Sequence, residues 1–173
     1  MRSLIKSKSG ELTDIMIWMI TIFILAIGLF ILIYIVPSIS NGLRVAGLNN
    51  SVEGNNAISS LDSIATGTIN NGFMMLFVGL IISVMITSFL VRTHPIFLFL
   101  YIIFLAITLV LGVYLGNAYD TMIDNPIFAS IVNNASFINL VMGHIVEITL
   151  AVGALSMIIV FAKFSTFGGT QQY

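Results

Sequence analysis

Residues 73–116 constrain this chain more than any other stretch. They hold two long apolar runs, 73–91 and 95–116, with only Arg92, Thr93 and His94 between them. Each run is close to the ~20 residues an α-helix needs to cross a bilayer. So short a polar link cannot build a soluble domain, and the pattern predicts a tight helical hairpin. Pro95 suits the first turn of the second helix, where a missing N–H costs no hydrogen bond. His94, directly before a proline, is steered away from helical geometry. Arg92, His94 and Pro95 therefore read as the hairpin turn at the headgroups, not as ligands.

The rest of the chain extends the same theme. Of its 173 residues, 58% are hydrophobic and 8% charged, against about 25% charged in a soluble domain. Two further apolar runs, 15–36 and 137–162, complete the prediction of an all-α polytopic membrane protein. It is expected to form one transmembrane domain, a bundle of four helices with the lipid bilayer as its main partner. The expected loops are 37–72 and 117–136. Loop 37–72 carries scattered apolar residues among Asn, Gly and Ser, which predicts short amphipathic helices at the membrane surface. In the second loop, Asp124-Asn125-Pro126 reads as a helix start, with a capping side chain and then proline at the first position.

Charge sets the expected orientation. Arg2, Lys6, Lys8, Arg92 and Lys163 fall on the side of the termini and the hairpin turn, and Arg44 alone on the other. The positive-inside rule places both termini in the cytoplasm and the two longer loops outside. A net charge of -1 gives no basic field for nucleic acid. With no cysteine and two histidines, thiolate sites and three-histidine metal sites are excluded within one chain. No nucleophile–base set, phosphate loop or metal-ligand cluster is visible in the sequence, so no catalytic, cofactor or metal site is expected, and no enzyme.

Two features remain as candidates. His144 and Glu147 are the ionisable residues well inside an apolar run, three apart, and on an unbroken helix would share a face. They read as a polar contact between helices, as a proton or ion relay, or as an interfacial pair if the span begins later, near Ile145. Gly112 and Gly116 make a small-x-x-x-small pattern that lets helices approach closely. None of the expected spans shows the matched midplane interruptions typical of transporter repeats.

Thr93-His94-Pro95-Ile96-Phe97, Gly116-Asn117-Ala118-Tyr119-Asp120 and Asp124-Asn125-Pro126, with the Glu11-Leu12-Thr13-Asp14 start of the first helix, resemble small four-span membrane proteins of tailless viruses with an internal lipid membrane. The resemblance implies a virion structural protein beneath a capsid shell, with capsid proteins among its partners and no catalytic residues. Lys8-Ser9-Gly10-Glu11 also resembles the processing site of type IV pilin-like subunits, but those carry one such helix and a soluble head. The leading expectation is a structural membrane protein that packs with itself or with other membrane proteins. A holin-like pore former or small channel, and an accessory subunit of a membrane enzyme complex, are the alternatives.

Overall fold

The computed structural model describes residues 10–90, 96–129 and 132–167, and these are helical almost throughout. Helix α1 spans Gly10–Val45 and is followed by a 3-10 turn at Leu48–Asn50. Helix α2, Val52–Ser63, passes through a π-helical stretch, Ile64–Thr68, into α3, Ile69–Leu90. Helix α4 spans Ile96–Ile123, and the short α5 spans Pro126–Ala129. A 3-10 turn at Val132–Ala135 leads to α6, Ser136–Gly143, and α7, Ile145–Phe167, ends the described chain.

Four helices are long and apolar enough to cross a membrane: α1 over Asp14–Val45, α3 over Ile69–Phe89, α4 over Leu98–Ile123 and α7 over Ile145–Ala162. Their apolar residues do not keep to one stripe, the pattern of a helix covered on all sides. In α4, only 11% of the most apolar window is buried within the chain. Phe99, Ile107, Val110 and Tyr114 of that helix are all exposed. Apolar surface of this extent needs lipid or protein to cover it.

The helices differ from the expected spans at their ends. α1 does not stop at 36; it runs through Pro37 to Val45. Proline removes the N–H that would serve the Ile33 carbonyl, while the Ser38 hydroxyl donates to the Tyr34 carbonyl beside it. The expected loop 37–72 is thus mostly helix. α4 runs on past Gly116 to Ile123, and the second-loop helix starts at Pro126, its described part being the single turn of α5. Asn125 caps that turn, its Oδ1 accepting from the Ile127 N–H at 3.0 Å. The expected fourth span, 137–162, is divided between α6 and α7.

The described residues fall into two compact units. The first draws on Met1–Thr21, Gly79–Tyr114 and Ile145–Tyr173. Its core holds Ile15, Trp18, Met19, Ile145, Thr149 and Val152. Trp18 is packed inside this unit. Gly153 lets Leu105 and Ile15 close on α7, and Gly112 does the same for Met19 and Val146 on α4. The Tyr101 hydroxyl donates to the Gly153 carbonyl at 3.1 Å, and the hydroxyls of Ser88 and Ser156 hydrogen-bond to each other.

The second unit draws on Ile22–Val78 and Leu115–His144. Phe30 and Tyr119, both fully buried, meet edge to face, and Phe128 packs on Phe30 and Tyr34. Phe73, Phe77 and Phe137 form a second aromatic cluster. The corner after α1 depends on two glycines. Gly47 sits at φ 83, a left-handed conformation that other residues adopt with strain. A Cβ on Gly54 would lie 2.0 Å from the Leu48 carbonyl oxygen. Ser51 then caps α2 by accepting from the Gly54 N–H at 3.1 Å.

Candidate functional site

The candidate polar pair lies where the fourth apolar run breaks. His144 stands between α6 and α7 with φ -122 and ψ 27, outside helical geometry. In an unbroken helix its N–H would serve the Leu140 carbonyl. Here that N–H turns to the Met142 carbonyl. The imidazole takes the vacated place, with Nδ1 3.0 Å from the Leu140 oxygen. Glu147 lies in the first turn of α7, where the positive end of the helix dipole favours a carboxylate. Both side chains are exposed on the chain's own surface. The shared helical face expected from their spacing requires a continuous helix, and the break at His144 removes that premise. The apolar helix long enough to cross a membrane begins at Ile145.

α6 has eight residues, too few to persist as an isolated helix. It is held from outside. The Asn70 amide, from the first turn of α3, accepts from the Phe137 N–H at 3.0 Å and reaches the Ser136 hydroxyl at 3.5 Å. Asn70 thus supplies the N-terminal cap that Ala135 cannot. The Tyr119 hydroxyl approaches Asn139 Oδ1 at 3.4 Å, and Ile138, Val141 and Met142 fill the buried side. Sequence reasoning missed Asn70; its one visible signal is the Asn70-Asn71 pair directly before an apolar run.

A second polar tie joins the end of α1 to α2. The Arg44 guanidinium donates to Asp62 Oδ2 at 2.7 Å, with both side chains partly exposed. The Ser40 hydroxyl and then Arg44 hold the Asp62 carboxyl below the usual carboxylate range.

Of the packing glycines, Gly112 is buried against Met19 and Val146, and Gly116 is half-buried. The hairpin residues Arg92, His94 and Pro95 lie outside the described residues. Among the described residues, no three His, Asp or Glu side chains gather where a metal ion could be held. No protein family, characterised protein or solved structure was found to match this chain.

Proposed function

We propose that this chain is a structural integral membrane protein, which packs in the bilayer with copies of itself or with other membrane proteins. The observation that carries the reading is how its apolar helices use their hydroxyls. Thr21, Thr87, Ser88, Thr108 and Thr149 each donate to the carbonyl four residues earlier in their own helix. In lipid a polar group must be satisfied inside the protein. Hydroxyls turned onto their own backbone meet that need within the helix. The remaining helix surface is apolar and fits lipid or a neighbouring helix.

In this reading the positive-inside asymmetry sets both termini and the turn at 92–94 on the cytoplasmic side. Loops and helix ends rich in Asn, Ser and Asp face the other side. The resemblance to virion membrane proteins supports capsid proteins as partners of one polar face. No catalysis, cofactor or nucleic acid enters the reading.

The test is an inventory by mass spectrometry of the native assembly after cross-linking in the membrane, with flux measurements on reconstituted vesicles. The expected result is self-links and links to other structural proteins, with no proton or ion flux. Recovery at fixed stoichiometry with a cofactor-bearing enzyme would overturn the reading. So would a pH-dependent flux that disappears in the double variant His144→Gln with Glu147→Gln.

A further inference from the structure

The break between α6 and α7 needs a cause. Hydropathy supplies none, because residues 137–162 read as one apolar run interrupted by two ionisable side chains. Gly143 offers one cause, since glycine weakens a helix interior. The His144 side chain offers another. We propose that His144 is a latch: its ring holds the Leu140 carbonyl and thereby fixes where the fourth apolar helix begins.

The geometry assigns each hydrogen-bonding group a place. The His144 N–H has left the Leu140 carbonyl for that of Met142, and Nδ1 stands 3.0 Å from the Leu140 oxygen. A carbonyl accepts only, so the proton must sit on Nδ1. An imidazole in this position ends α6 as a basic side chain ends other helices, by bonding a last-turn carbonyl at the negative end of the dipole. A leucine here could not satisfy that carbonyl, and the least costly remaining donor would be its own N–H, in helical geometry. Released, residues 136–167 would run on as one helix.

Glu147 sits in the first turn of α7, where the positive end of the helix dipole favours a carboxylate. The inference stands on the geometry at His144 and is independent of the structural role proposed above.

The experiment compares amide hydrogen exchange at residues 145–147 in the full-length chain in detergent micelles. Native protein, Gly143→Ala and His144→Leu are measured side by side. His144→Leu is expected to slow exchange there by about tenfold or more, as free N-terminal amides enter a continuous helix. Gly143→Ala is expected to exchange like the native chain, because the ring still holds the break. Slowing by Gly143→Ala, or no slowing by His144→Leu, overturns the proposal. A second measurement needs no variant. Nitrogen NMR of the native histidine should show a proton on Nδ1; a bare Nδ1 beside the Leu140 carbonyl overturns the latch even if His144→Leu fails to fold.

Discussion

Asn70 and Phe137, 67 positions apart in sequence, meet through one hydrogen bond of 3.0 Å from the Phe137 N–H to Asn70 Oδ1. The bond completes the start of α6 with a side chain from α3. Its position next to Phe73, Phe77 and Phe137 couples the polar cap to an aromatic cluster. A helix of eight residues is thereby tied down at its first turn.

Asn70→Ala should accordingly destabilise α6 by about 0.5–2 kcal/mol, the usual range for a lost N-cap. Asn70→Asp keeps the acceptor and adds a charge that the helix dipole favours, so it should cost less. Exchange of the Phe137 amide, with thermal unfolding in detergent, measures both. Equal loss in the two variants would show that the Asn70 amide nitrogen, through Ser136, matters more than the cap.

Gly54 and Gly153 should respond differently to alanine. At Gly54 the new methyl would lie 2.0 Å from the backbone oxygen of Leu48. Backbone cannot swing aside cheaply, so Gly54→Ala should cost about 1–3 kcal/mol despite alanine's better helix propensity. At Gly153 the nearest atom is the far end of the Leu105 side chain, 2.5 Å from the new Cβ. Leu105 can turn, and Gly153→Ala should be close to neutral, whereas Gly153→Leu overfills the site. Unfolding midpoints of the three variants test the order.

The corner formed by Arg44, Ser40 and Asp62 predicts a pH dependence with a definite sign. The Asp62 carboxyl lies below its ordinary value in the folded chain, through Ser40 first and then Arg44. Its contribution is therefore complete above the unfolded carboxylate pKa of about 3.9. It fades as pH falls through the still lower folded value. Between neutrality and about pH 5 the tie should not change. Further acidification should speed amide exchange in α2, and Asp62→Asn should remove that dependence. A loosening of α2 already at pH 6 in the native chain would assign the effect to another group.

Much of the fold is legible in the sequence, because bilayer-length apolar runs leave a helix few alternatives. The four long apolar helices lie where hydropathy puts them, and Asn125-Pro126 starts a helix as its capping chemistry predicts. The ends are less legible. The first apolar run ends at 36, yet α1 continues through Pro37, with Ser38 bonded to the Tyr34 carbonyl and Phe128 packed on Tyr34. A propensity argument sees the proline and not the packing around it. The break at His144 is hidden for a related reason. It depends on where one ring nitrogen points, and an apolar run looks the same with or without that contact. Asn70 is hidden by distance along the chain.

Topology gives the last prediction. With no native cysteine, single substitutions report cleanly to an impermeant thiol reagent. Ser59 on α2 and Asn133 beside α6 are both exposed. They belong to the two segments that the Lys/Arg asymmetry assigns to the outer face. Ser59→Cys and Asn133→Cys should label in intact cells. Thr93→Cys, next to Arg92 in sequence, should label only after the membrane is opened. The asymmetry rests on five basic residues against Arg44, and Arg44 is already paired with Asp62. Replacing Asp62 with lysine would remove that pairing and add a second basic group, so this variant should bias the chain towards inversion. Labelling of Thr93→Cys from outside in the otherwise native chain would reverse the assignment. Labelling of Ser59→Cys without Asn133→Cys would place the two segments on opposite sides, and an odd number of crossings between residues 59 and 133 would follow.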